Sequence, residues 1–464
     1  MQKRSISKSV IWQLIGKILL QGIAFITTPI FTRILSTSDY GYVALYNSWL
    51  SILMLIEGLQ VSGSIGNARI KYGEENLNSY ISSIMSISLI SFLITLMIGI
   101  LFRKPISNLL GLSSSMEILV IVHSFFYFVL HLEITRFDQL KKVEKSTIFS
   151  LFQAIIVIVL SLILVLSTKG DKAVAKIYGQ AIPIIVFGIV IIILIYIRGK
   201  KIWNSEYNKF CLSFTLPLIV HGAGHLIFSQ SDRIMLQKIQ GEEILGIYSV
   251  TFSLCSVLTI IFGAFNTAWI PFYYDLKKQN KEKEILEHSK RYIKFCLLIF
   301  LGFILLSFDA YKIMAPKEYY DGMRIIPFFV LSHFFAFLYL FPVNFEFYNQ
   351  KTKLIPIATF LAAIINIVIN WLLIPTMGIV GAAIGTVCAH ILLYLFHEIM
   401  ANKIGKENYE YKNKLMFVFP IIILSFVCLL MFFVPELPIW IRWPIALGVA
   451  IYVLIDLIKH KSFF

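Results

Sequence analysis

Ser229–Val250 reads SQSDRIMLQKIQGEEILGIYSV. An apolar run carries the pair Asp232-Arg233 at membrane depth, turns through Gly241-Glu242-Glu243, and re-enters an apolar run at Gly246-Ile247-Tyr248. Phe31–Ser48, FTRILSTSDYGYVALYNS, follows the same plan. There Arg33 closes one apolar run, a short polar turn follows, and Gly41-Tyr42 opens the next. Two spanning helices joined by a tight turn have this pattern. Aligning Gly41 with Gly246 predicts that the second half of the chain repeats the first.

A second pair of segments supports the repeat. HSFFYFVLHLEITRFDQLKK from His123 and HFFAFLYLFPVNFEFYNQKT from His333 align without gaps, matching Phe137 with Phe347 and Lys141 with Lys351. Arg136 matches Glu346, so the halves differ in sign at that position.

With 464 residues, 58% hydrophobic content and a mean hydropathy of +0.80, the chain has too little polar surface to cover a soluble globule. Apolar runs of about 20 residues recur, the length a helix needs to cross hydrocarbon. Barrel strands would alternate in short segments instead. The first run follows Lys3, Arg4 and Lys8 without a small-residue cleavage site behind it, so a retained helix is expected. The net charge of +15 sits mostly in alternate loops, as topology signals do, and no nucleic-acid partner is expected. Cys211, Cys255, Cys296, Cys388 and Cys428 lie in or beside apolar runs without metal-type spacing and read as small core residues.

The expected spans are 9–34, 40–66, 80–102, 115–136, 147–167 and 177–197, then 211–238, 244–269, 292–310, 325–348, 354–375 and 379–401, and last 415–434 and 438–458. The fold class is therefore all-α, a polytopic membrane protein of about 14 transmembrane helices. Residues 1–205 form one six-helix bundle, 206–404 a second, and 405–464 two additional helices. Six is even, so the halves insert in the same orientation as parallel repeats. About 28 Lys and Arg fall in loops on the side of the N-terminus and about 11 on the other, which puts both ends in the cytoplasm. Lys277–Lys294 reads as a surface amphipathic or solvated helix, or as a topology-setting loop. Outward loops are short, which counts against a glycosyltransferase or polymerase that must hold an acceptor there.

TPIFTRILSTSDYGYVALYNS near the start, SDRIMLQKIQGEEILGIYSV at the seventh span and PTMGIVGAAIGT at Pro375–Thr386 carry a family resemblance. The chain resembles the Wzx-type polysaccharide flippases of the multidrug/oligosaccharidyl-lipid/polysaccharide exporter superfamily, over nearly its whole length. The resemblance implies a carrier in the bacterial cytoplasmic membrane. Its substrate would be a polyprenyl-pyrophosphate-linked oligosaccharide, moved to the outer leaflet for O-antigen, capsule or related surface polysaccharide. It also implies membrane lipid and a polysaccharide polymerase as partners, H⁺ or Na⁺ as a coupling ion, and no cofactor. The trailing two spans also occur in lipid II flippases of the superfamily. A multidrug cation antiporter shares the architecture but would favour acidic cavity residues. No Gly-x-x-x-x-Gly-Lys-Ser/Thr loop is present, so ATP is not expected to drive transport directly.

Charges inside spans are costly and usually face a bundle interior or a wet cavity. Lys17 and Glu57 lie roughly 12 and 13 Å from the cytoplasmic ends of spans 1 and 2. Either Lys17 lines the cavity near the substrate phosphates with Glu57 modulating it, or the two form a structural ion pair. In span 7, His221, His225 and Asp232 stand at i, i+4 and i+11, within roughly 40° on one face. They would line the cavity and carry protons, or they pack and hydrogen-bond. Metal binding suits i, i+4 histidines, but no Glu or Cys completes a site nearby, and no metal is expected. Pro217 and Gly222-Ala223-Gly224 permit a kink or a close crossing. Arg233 binds phosphate at the exit or pairs with Asp232, and Arg33 reads as a snorkelling anchor. Arg136, clustered with Glu133 and Asp138, catches pyrophosphate at the inner leaflet or belongs to a solvated basic cluster. His123, His131 and His333 sit among aromatics and read as satisfied core residues. Asp309, His390, His397 and Glu398 lie near span ends, within reach of water.

Overall fold

The computed structural model describes residues 2–405, 408–412, 414–434 and 437–460. Among them there is no strand. Hydrocarbon offers no partner to a free peptide group, and the helix satisfies each one internally. The helices run α1 (Gln2–Ile34), α2 (Thr37–Gly58), α3 (Ile65–Leu101), α4 (Arg103–Leu110), α5 (Ser114–Gln139), α6 (Val143–Ser167), α7 (Lys172–Gly199) and α8 (Ser205–Gln240). They continue with α9 (Glu242–Cys255), α10 (Val257–Lys278), α11 (Glu282–Met314), α12 (Ile326–Leu338), α13 (Leu340–Tyr348), α14 (Ile355–Met377), α15 (Ile379–Gly405), α16 (Leu415–Phe433) and α17 (Ile439–His460). The chain is a multi-pass membrane protein, with 12 helices among the described residues long and apolar enough to cross a bilayer. These twelve correspond to the third to fourteenth expected spans. α1 and α2 cover the first two, and the side chain of Lys17, in α1, lies outside the described residues.

Helix starts are capped as their sequences require. Ser36 and Asp39 form a reciprocal box at α2, in which the Ser36 hydroxyl accepts from the Asp39 N–H and the Asp39 carboxylate accepts from the Ser36 N–H, both at 3.0 Å. Asp171 and Asn204 cap α7 and α8 in the simpler way. Gly73, at φ 82° and ψ 165°, interrupts α3. Its second limb, from Glu74, holds the third expected span. A side chain would be strained at that φ, and a Cβ would fall 2.1 Å from the Glu75 carboxylate.

By internal contacts the chain forms two compact units, Met1–Gly246 and Ile247–Phe464. In the first, α5 packs on α2, α3 and α7, while α8 leans on α2 and α3. In this unit α2 meets the start of α9 backbone to backbone. A Cβ on Gly41 would lie 1.8 Å from the Glu242 carbonyl oxygen, and one on Gly246 2.0 Å from that of Thr37. The two glycines aligned by sequence therefore touch through the same crossing.

In the second unit α12 is covered by α10, α11, α15 and α16, and the trailing α16 and α17 pack on α11. Arg442 of α17 is buried, donating to the Leu305 carbonyl at 3.1 Å and to Asp309, which also accepts from the Trp443 indole at 3.1 Å. Of the charged segment Lys277–Lys294, the first two residues end α10, 279–281 turn, and 282–294 open α11 as a helix continuous with the span, with Ile285 and Ser289 buried and Ser289 3.0 Å from the Tyr411 hydroxyl. Its apolar positions face the 408–412 segment, which Lys277 ties down through Glu410 at 2.6 Å.

Candidate functional site

A cavity of 420 Å³ opens in the first unit between α2, α5 and α8. Its polar wall is Ser51, Gln60, Ser62, His131, His221 and His225, and Met54, Leu55 and Phe128 complete it. Two local features create the space. On α8, Gly222 lets the helix approach α2 so closely that a Cβ would come within 2.8 Å of the Gln60 amide and of Leu55. On the other side, the helical path of α2 breaks at Leu59 (φ 47°) and Gln60 (φ 53°), two consecutive non-glycine residues in the left-handed region. Each costs roughly 1–2 kcal/mol.

The carbonyls loosened by the break find partners on α3. The Ser91 hydroxyl donates to Ile56 at 2.9 Å and that of Ser88 to Gly58 at 3.3 Å. Interrupted spans with otherwise satisfied backbone are where carriers place binding sites. The break aims the Gln60 side chain into the cavity, while Leu59 points to a separate groove.

Of the sequence candidates, His221 and His225 line this cavity. His131 joins them from α5, which corrects its reading as a satisfied core residue; its aromatic neighbours masked a position at the cavity wall. His123 does sit in the core, its Nδ1 3.1 Å from the Tyr46 hydroxyl. Glu57 lies behind the wall, fully buried, and accepts from the Ser124 hydroxyl at 2.7 Å. Asp232 is buried further along α8, and Arg233 donates to Gln230 at 3.0 Å. The Nδ1 of His221 has no hydrogen-bond partner among the described residues.

Arg136 stands apart from the cavity. It donates to Glu133 at 2.9 Å and to Asn78 at 3.1 Å, and Arg198 reaches the same Glu133 oxygen at 3.0 Å. Arg33 donates to the Pro29 carbonyl at 2.7 Å. Glu346, the sequence match of Arg136, is fully buried against His397 at 3.0 Å. His397 is therefore sealed in protein, not near water, because α13 packs over it on α15. Among the described residues no group of three or more His, Cys, Asp or Glu is arranged to hold a metal ion.

Residues 6–277 match the family described as polysaccharide biosynthesis protein. A protein of the Lsg locus of Haemophilus influenzae is 25% identical over 399 residues, covering 81% of this chain and 94% of that one. An uncharacterised membrane protein of Methanocaldococcus jannaschii is 21% identical over 452 residues, 90% of this chain and 88% of its own length. Among solved structures, the lipid II flippase MurJ in an inward closed conformation superposes with a TM-score of 0.72 at 16% identity, over 98% of this chain and all of that one. An inward-facing multidrug resistance MATE transporter of the MOP superfamily gives 0.58 at 16% identity, over 84% and 95% of the two chains. The fold is that of this superfamily.

Proposed function

The chain belongs to the polysaccharide biosynthesis protein family, and on that premise we propose that it is a flippase. It carries a polyprenyl-pyrophosphate-linked oligosaccharide from the inner to the outer leaflet of the bacterial cytoplasmic membrane, with both chain ends cytoplasmic. The observation that carries this reading is the cavity beside the broken second span. Its amide, hydroxyls and three imidazoles suit sugar hydroxyls and phosphate oxygens, and its described lining includes no carboxylate to attract a cation. Gln60, His131, His221 and His225 contact the head group through hydrogen bonds to its phosphate and sugar oxygens. Lys17 and Arg233 are phosphate contacts along the path. Arg136, held by Glu133 and Asn78, meets the pyrophosphate at the inner leaflet. Glu57 and Asp232 support the cavity from within the bundle. Residues 1–205 and 206–404 act as parallel repeats that rock about the substrate.

The test is deletion of the gene followed by sidedness of the lipid-linked oligosaccharide in membrane vesicles. Full-length units trapped in the cytoplasmic leaflet, with surface polysaccharide lost, are expected. Units that reach the outer leaflet but stay unpolymerised would overturn the reading in favour of a polymerase. The full-length superposition on MurJ, trailing helices included, favours one second reading, a lipid II flippase. In that case depletion would halt peptidoglycan synthesis and leave the surface polysaccharide precursor evenly distributed.

A further inference from the structure

Outside that cavity, a 400 Å³ groove runs between the second limb of α3 and the first turns of α8. Its long wall is apolar: Ile87, Ile90 and Ile94 stand at i, i+3 and i+7 on α3, opposite Leu212. Ile90, Ile94 and Trp203 are about half exposed, at 47%, 48% and 56%, so the groove opens outward along its length. Ser91 on the α3 wall is tied to the Ile56 carbonyl at 2.9 Å, and the other polar groups, Ser205, Asn208 and Lys209, stand where α8 begins, with Trp203 beside them. Arg198, Lys200 and Lys201 precede Trp203 in the chain, and a Trp and Lys together mark the interfacial zone of a bilayer.

Asn208 points to a ligand independently of the groove's shape. It is 4% exposed. The Ser83 hydroxyl accepts from the Asn204 N–H at 2.7 Å and donates to the Asn208 Oδ1 at 2.9 Å, with the Asn204 carbonyl further off at 3.4 Å. The Asn208 Nδ2 is left as a buried donor with no partner among the described residues. A buried unpaired donor calls for an occupant. It lies in the first turn of a 36-residue helix, where the dipole favours an anion. Lys209 adds an ammonium, and Glu206, exposed in the same turn, is the one carboxylate there.

We propose that this groove binds an anionic phospholipid of the inner leaflet. The phosphodiester sits on the Asn208 amide and Lys209, and one acyl chain lies along Ile87, Ile90 and Ile94. One buried donor and one flanking ammonium match the single charge of a phosphodiester better than the two charges of a pyrophosphate. Leu59 forms part of the groove while Gln60 faces the histidine cavity, so the lipid props the break from behind.

The experiment is native mass spectrometry of the delipidated full chain titrated with dioleoyl phosphatidylglycerol or dioleoyl phosphatidylcholine. Phosphatidylglycerol should be retained about fivefold better than phosphatidylcholine, the value of about one interfacial Lys. Lys209→Gln, on the surface, should erase that preference, and Ile94→Trp, far from the Ser83 contact, should lower retention of both lipids by filling the groove. Equal retention of the two lipids by the wild type, or an unchanged preference in Lys209→Gln, overturns the site. Stoichiometric displacement of phosphatidylglycerol by undecaprenyl phosphate at lower concentration overturns the assigned occupant in favour of the carried lipid. None of these outcomes depends on whether the chain is a flippase.

Discussion

His221 and Glu57 show how two intramembrane polar residues divide between cavity and scaffold. His221 lines the cavity and has a buried Nδ1 with no partner among the described residues, whereas Glu57 is sealed and holds Ser124. Replacing His221 or His225 with Ala should lower surface polysaccharide about tenfold without loss of protein from the membrane, since a hydrogen bond to a charged group contributes about 1.5–3 kcal/mol. Unchanged polysaccharide in both variants would remove the histidines from the site. Glu57→Gln keeps an acceptor for Ser124 and should preserve both protein level and transport. Glu57→Ala leaves the Ser124 hydroxyl only the Ile121 carbonyl at 2.9 Å and opens a void in the core, and it should cost about 1–3 kcal/mol, read as a lower unfolding temperature in detergent. Transport lost in Glu57→Gln at full stability would instead make its charge functional.

Between elements, the decisive features are a break and a crossing, and they differ in how far the sequence reveals them. Gly41 and Gly246 stand out because each opens an apolar run after a polar turn, and the structure seats each against backbone. Gly222 lies in the small-residue run expected to permit a close crossing, and it does so. The break at Leu59-Gln60 carries no such mark, since neither residue is Gly, Pro or Asn. It exists because α3 supplies Ser88 and Ser91 to the freed carbonyls, a tertiary effect invisible along one helix. For the same reason His131 could not be distinguished from His123 by its aromatic neighbours. Gln60→Gly should relieve the left-handed strain and hold or raise stability by up to about 1 kcal/mol while lowering transport. Loss of stability and transport together would mean that the side chain serves packing instead. Gly41→Val should cost about 1–3 kcal/mol through forced separation of α2 from α9. Gly263→Ala, with nothing within 4 Å of its added Cβ, should be neutral or slightly stabilising. If thermal unfolding of the two glycine variants is indistinguishable, the crossing is not a tight contact in the membrane.

At the scale of the molecule, the long apolar runs made an all-helical membrane protein legible, because each span alone must satisfy its backbone. The grouping into contact units was less so: α8 packs within the first unit, although its sequence opens the second half. That placement brings the α8 histidines to a cavity built by α2 and α5. The proposed carrier needs a source of energy, and the charge of its proposed substrate supplies one. The two negative charges of a pyrophosphate diester leaving a cell that is negative inside gain roughly 4.6 kcal/mol at 100 mV. Vesicles oriented as in the cell and loaded with lipid-linked oligosaccharide should therefore accumulate it in the outer leaflet when a potassium diffusion potential is imposed, and lose that bias when the potential is collapsed. Each proton exchanged inward for the exported anion carries charge in the favourable direction and steepens the dependence on potential. Each proton carried outward with the substrate cancels one charge. A bias that survives collapse of the potential but disappears with the pH gradient would shift the drive from substrate charge to the histidines, and His221→Ala should then abolish it.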